Sequence, residues 1–133
     1  MQNFKLINNV TGWLVFLASL VVYGLTVEPT ASFWDCGEFI AVSYKLMVPH
    51  PPGAPLFLLI GRMFSMLAGS DVTMVAYWVN MVSVLSSALT SLFLFWAITL
   101  IAKRLVHKEG EDLKIGQIFA IMGSGIIGAM AYT

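Results

Sequence analysis

The sequence predicts an all-α, polytopic transmembrane protein, and three observations about the residues carry the reading. Of 133 residues, 59% are hydrophobic and 11% charged, against about 25% charged in soluble domains. Mean hydropathy is +0.86. The charges are also bunched, leaving apolar stretches near residues 11–27, 75–102 and 115–133, each of a length suited to a bilayer. Formal net charge is zero, so nothing supports nucleic-acid binding or a polybasic membrane patch. The single cysteine, Cys36, leaves no internal disulfide and no cysteine-rich zinc site.

The first span is read as Thr11 to Val27, closed by Glu28-Pro29, because proline stops a helix. The uncharged run from Leu6 to Val27 exceeds the ~7–15 residues of a signal-peptide core, and no small-x-small cleavage site follows it. It is therefore expected to be retained, with signal-anchor function open to it. The second span is placed at Val75–Ala102, with Ser70 and Asp71 as N-cap candidates. Its 28 residues would extend ~42 Å, enough to cross a ~30 Å core. The third begins near Ile115 and is still apolar at Thr133, which leads to the expectation of an N-terminal part of a larger protein.

Five of the seven lysines and arginines (Lys5, Lys103, Arg104, Lys108 and Lys114) flank the spans on one side; Lys45 and Arg62 lie in the 28–74 loop. By the positive-inside rule the N-terminus and a solvated 103–114 loop are cytoplasmic. The 28–74 loop then faces outward, toward the periplasm if the membrane is a bacterial inner membrane.

That loop is expected to be ordered. Asp35–Val48 suits a helix with Phe39, Val42 and Leu46 on one side, and Asp35, Glu38 and Lys45 share a face, within about 80° of one another. Four prolines in residues 49–55 force an extended bend. Pro55 can open a second, nearly all-apolar helix through Ala68, lying in or dipping into the bilayer interface.

The polar residues of this loop are the candidates for chemistry. Asp35 and Glu38, spaced i, i+3, either complement a helix N-terminus or provide a general base whose pKa the neighbouring Phe33, Trp34 and Phe39 raise by burial. His50, framed by Pro49 and Pro51, fills a turn, donates to a phosphate or shuttles a proton. Arg62 either snorkels to headgroups or binds an anion, and Lys45 either neutralises Glu38 or contacts phosphate. Asp35, Glu38 and His50 could bind a divalent cation, but no metal-ligand cluster is strong enough to assign.

Several patterns carry less. Gly123-Ser124-Gly125-Ile126-Ile127-Gly128 matches the dinucleotide fingerprint but lies in an apolar span with no strand before it, so Ser124 and Gly128 read as helix packing. Asn80, Ser83, Ser87, Thr90 and Ser91 read as interhelical contacts, and Trp13, Tyr77, Trp78 and Trp96 as interfacial anchors.

The run Phe33-Trp34-Asp35-Cys36-Gly37-Glu38-Phe39, Tyr44-Lys45-Leu46, His50-Pro51-Pro52-Gly53-Ala54-Pro55-Leu56-Phe57, Gly61-Arg62 resembles a large bacterial membrane family, formerly a domain of unknown function, related to protein O-mannosyltransferases. The resemblance covers essentially the whole chain and is densest from Glu28 to Arg62. It implies a GT-C-type glycosyltransferase taking a sugar, mannose by analogy, from a polyprenyl-phosphate carrier on the outer face. By position it makes Asp35 the acidic residue of the first outward loop and His50-Pro51-Pro52 the second segment. The O-mannosyltransferases place two acids side by side, whereas Cys36 and Gly37 separate Asp35 from Glu38 here.

The expected function is inverting sugar transfer to a hydroxyl of a protein Ser or Thr or of a glycan. Asp35 would be the base, with Glu38 beside it, and His50, Arg62 or Lys45 would stabilise the leaving phosphate. The expected partners are the bilayer, the lipid-linked sugar as co-substrate and the acceptor. Two alternatives stay open. A transporter or flippase would use Asp35, Glu38 and His50 as a pathway, although coupling residues normally sit mid-span. A non-catalytic assembly subunit would use the same loop to dock a partner.

Overall fold

A computed structural model describes residues 2–107 and 113–133, with side chains from Phe4 onward. Residues 108–112, including Lys108 of the expected cytoplasmic loop, lie outside the described residues. The chain is all-α: α1 (Gln2–Thr26), α2 (Cys36–Lys45), α3 (Pro55–Ser65), α4 (Val75–Val106) and α5 (Ile115–Met130), with short 3-10 turns at Met66–Ala68 and Val72–Met74. No strand occurs among the described residues. The segments Phe4–Thr26 and Val72–Val106 are long and apolar enough to cross a membrane. In their most apolar windows only 17% and 33% of residues are buried. A soluble core helix would hide far more, so these exposed apolar surfaces suit lipid and the chain is membrane-associated. At 1.5 Å per residue the 16-residue α5 extends ~24 Å, less than a ~30 Å hydrocarbon core.

The chain divides into two compact units, one of residues up to Tyr23 and from Ser87 on, the other of Gly24–Ser86. In the first, α1 and α5 both run antiparallel to α4. Lys103 Nζ lies 4.9 Å from the Phe4 ring centroid, Trp96 packs on Gly12, and Thr133 Oγ1 sits 3.4 Å from Ser19 Oγ and 3.1 Å from Ser91 Oγ. Phe4, Val15, Phe95, Ile121, Met122 and Ala129 form the core. Small residues let the helices meet closely: an added Cβ at Gly125 would lie 2.5 Å from Thr99 Cγ2, and one at Gly128 would lie 2.5 Å from Ile98 Cδ1. Close backbone approach and shared hydroxyls are how helices associate where lipid offers no hydrophobic drive. The packing stripe thus runs through Gly125, Gly128 and Ala129; Ser124 instead donates to its own helix at Ile121 O, 2.9 Å. Trp96, expected as an interfacial anchor, packs between helices, with Trp13 edge-on at 6.2 Å.

In the second unit α2 packs on α3 and on the first turns of α4, burying Ile40, Val75 and Val79 against Cys36, Tyr44, Phe57, Ala68 and Ala76. Gly61 allows the α2–α3 contact, since a Cβ there would meet Ser43 Oγ at 2.7 Å. Helix α2 stops three residues short of the expected Val48. Leu46 turns left-handed (φ 50°, ψ 49°), and its N–H and that of Met47 fold back to the carbonyls of Ser43 and Val42. Pro49 then requires an extended Val48. Pro55 does occupy the first turn of α3. Leu56, Leu59, Met63 and Leu67 remain exposed, an apolar face of the kind expected at a bilayer interface. Asp71 caps the turn before α4, accepting from Thr73 N at 2.9 Å and Thr73 Oγ1 at 2.6 Å.

Candidate active site

The start of α2 and the proline turn bring Asp35, Glu38 and His50 together. Trp34, with φ at 58°, turns the chain sharply into the helix. Asp35 occupies the N-cap position, its carbonyl accepting from Phe39 N at 2.9 Å. Its carboxylate makes no capping bond. The helix-capping role open to Asp35 is thus not taken up by its side chain.

One turn on, Glu38 grips His50 twice. Glu38 Oε1 accepts from His50 N and Oε2 from Nδ1, each at 2.9 Å. With Nδ1 committed to Glu38, the far nitrogen Nε2 faces Asp35 Oδ2 at 3.9 Å. The loop is shaped to present the ring: Pro49 is buried, and Gly53 (φ 77°) closes a turn back to His50 O at 3.1 Å. Phe39 meets the imidazole edge-on at 6.0 Å and Phe57 of α3 at 5.8 Å. The imidazole is therefore oriented by a carboxylate, a stiff turn and an aromatic wall.

The electrostatics reverse one expectation. Phe33 and Trp34 are 94% and 91% exposed, so they build no apolar wall. The Glu38 carboxyl is held below its usual 4.5, first by the side-chain hydrogen bond from His50 and then by the backbone one. His50 is raised above its usual 6.5, first by the hydrogen bond to Glu38, then by the charges of Glu38 and, last, Asp35. The signs set a window. Glu38's contribution is present above 4.5 and lost as pH falls through its lowered value. The contribution of His50 is full below 6.5 and lost as pH rises through its raised value. The clamp is thus complete in mildly acidic to near-neutral solution and weakens toward alkaline pH. In Glu38→Gln the His50 ring, followed by NMR titration, is expected to titrate lower than in the parent. An unshifted titration would show that Glu38 is not its partner.

The other candidates lie elsewhere. Half-buried Arg62 donates from Nη1 to Tyr44 O at 2.5 Å and stacks 5.4 Å from the Tyr44 ring. It tethers α3 to the end of α2, away from the carboxylates. Lys45 is exposed and makes no ion pair with Glu38 among the described residues.

Asn80 has a larger role than interhelical contact. Its Nδ2 donates to Glu28 O (2.8 Å) and Thr30 O (3.0 Å), and its Oδ1 accepts from Cys36 Sγ at 3.8 Å. It thereby ties both the segment entering α2 and the first residue of α2 to α4. The signal in the sequence was its being the lone amide in the uncharged run from Val72 to Ala102. Asn80→Ala strands two carbonyl acceptors and is expected to cost about 0.5–1.5 kcal/mol for each lost bond, read from the thermal midpoint. An unchanged midpoint would show that the tie contributes nothing.

One atom from each of Asp35, Glu38 and His50 lies within 4.8 Å of the other two. The three could gather round one divalent cation if His50 released a carboxylate. As found, the imidazole itself bridges the two acids. Beside the triad, Cys36, Phe39, Ile40, Phe57, Val79, Asn80 and Ser83 line a mostly apolar cavity of about 300 Å3. Phe39 forms part of its wall and touches His50. An exposed carboxylate, an oriented imidazole and an adjoining apolar cavity suit proton transfer on a ligand with polar and apolar parts.

Comparison with known families agrees in kind. A family profile described as the protein O-mannosyl-transferase TMEM260 N-terminal domain matches residues 35–133. The chain belongs to that family. The match opens at Asp35, so the triad, the proline turn and α3 to α5 all fall within it. Among relatives, protein O-mannosyl-transferase tmem260 of Dictyostelium discoideum is 33% identical over 87 residues, covering 65% of this chain and 11% of the relative. The Mus musculus protein O-mannosyl-transferase TMEM260 is 36% identical over 86 residues, covering 63% of this chain and 12% of the relative. The aligned part therefore spans about one-ninth of the length of these family members. No solved structure matches the chain.

Proposed function

We propose that this protein transfers mannose from a polyprenyl-phosphate carrier to Ser or Thr hydroxyls of an acceptor protein at the outer face of a membrane, as an inverting GT-C-type enzyme. The observation that carries the reading is the Asp35 carboxylate: uncapped, exposed, and facing a histidine whose other nitrogen is fixed by Glu38. The family's name supplies the sugar and the class of acceptor.

In the proposed step the acceptor hydroxyl oxygen attacks the anomeric carbon and its proton passes to an Asp35 oxygen. The bond from that carbon to the phosphate oxygen breaks, and the electron pair leaves with the polyprenyl phosphate. A phosphate is a weak base and needs no strong general acid. His50, with its raised proton affinity, would place positive charge beside the site, the electrostatic help that often dominates catalysis. Glu38 is a positioning residue in this scheme, because it acts through His50. Arg62, tied to Tyr44, holds α3 against α2, and the apolar cavity beside Phe39 with the exposed face of α3 would receive the first isoprene units. The test is transfer from a polyprenyl-phosphate sugar to peptide hydroxyls by membranes carrying the full-length protein, with Asp35→Asn as the discriminating variant. Repeating it in chelator and in added divalent salt reports whether a cation joins the triad.

A further inference from the structure

A second site lies in the first unit, where α1 begins and α4 finishes. Phe4, Lys5, Asn8, Trp96, Leu100 and Lys103 help line a cavity of about 400 Å3 between the two helices. Two lysines from different helices thus face one space. No carboxylate pairs with either among the described residues. Lys103 is held over the Phe4 ring instead, a contact that leaves its ammonium hydrogens for other acceptors. Asn8 Oδ1 and Trp96 Nε1 are buried, the latter packed on Gly12, so the two ammonium groups are what the cavity offers an anion. The rim is apolar: Leu100, Ile101 and Leu105 are 53%, 60% and 82% exposed, beside the end of a helix long enough to cross a bilayer.

We propose that this cavity binds the phosphate of an anionic phospholipid headgroup, with Lys5 and Lys103 as the charge partners and the acyl chains lying along the exposed leucines of α4. A soluble phosphate would use the cations but has no use for the apolar rim, which favours the lipid. Basic pockets between transmembrane helices are a recurring way of holding such headgroups. The site is separate from the Asp35 triad and does not depend on the proposed transfer reaction.

The experiment is native mass spectrometry of the full-length protein in detergent, titrated with phosphatidylglycerol or phosphatidylcholine. The parent is expected to retain one phosphatidylglycerol in preference to phosphatidylcholine. Lys5→Gln with Lys103→Gln is expected to weaken retention about 25-fold, about fivefold for each lysine. Arg104→Gln, a basic residue in the last turn of α4 that does not line the cavity, is expected to change it less than twofold. Equal retention of the two lipids, or an equal loss in Arg104→Gln, would overturn the proposal in favour of diffuse surface charge. Displacement of the lipid by millimolar inorganic phosphate would overturn it in favour of a soluble anion.

Discussion

Asp35→Asn is expected to lower sugar transfer about 10²–10⁴-fold, the usual worth of a positioned general base, while helical content and thermal midpoint stay near those of the parent. Asparagine keeps the shape of the side chain but cannot take the acceptor's proton. The fold should tolerate the change because the carboxylate makes no capping bond to α2, and the Asp35 carbonyl still accepts from Phe39 N. Removing a carboxylate 3.9 Å from His50 Nε2 also strips one charge from the ring's surroundings. A companion Glu38→Gln variant separates the two acids. It should cost less than Asp35→Asn, and its His50 should titrate lower than in the parent, as expected of a residue acting through the imidazole. Transfer unchanged in Asp35→Asn would remove that residue from the mechanism. A larger loss in Glu38→Gln than in Asp35→Asn would move the base to Glu38.

The largest structural effect is expected at Gly125. Even a bare Cβ there would stand 2.5 Å from Thr99 Cγ2 and 2.9 Å from two atoms of the Phe95 ring. Thr99 and Phe95 are 1% and 0% exposed, so neither has space to retreat into. Gly125→Leu should therefore force α5 away from α4 and cost at least the ~1–3 kcal/mol typical of overpacking a close-packed core. The loss reads out as a lower thermal midpoint in detergent. Gly116→Leu in the same helix is the control, because nothing lies within 4 Å of a Cβ at that position and leucine is the better helix former. If both variants lowered the midpoint alike, the close contact of α5 with α4 would not be what matters.

The sequence by itself determined the helical, membrane-associated character of the chain, because composition and runs of uncharged apolar residues are one-dimensional properties. It also located Pro55 at the head of α3 and marked Asp35, Glu38 and His50, since carboxylates and an imidazole stand out in so apolar a chain. Other features depended on which atoms meet in space. Helix α2 ends at Lys45 because Leu46 goes left-handed before Pro49, although its apolar pattern continues through Leu46 and Val48. Phe33 and Trp34 looked like a wall and are exposed, since neighbours in sequence need not face the same side of a turn. Arg62 looked free for an anion and is spent on Tyr44, eighteen residues back. Asn80 lies 52 residues from Glu28, beyond the reach of any local rule. Only the tertiary structure decided that Glu38 holds His50 and leaves Asp35 exposed. A hydrogen bond of 2.9 Å and an ion-pair separation of 3.9 Å are set by how a helix and a proline turn pack, and spacing along the chain does not encode such distances.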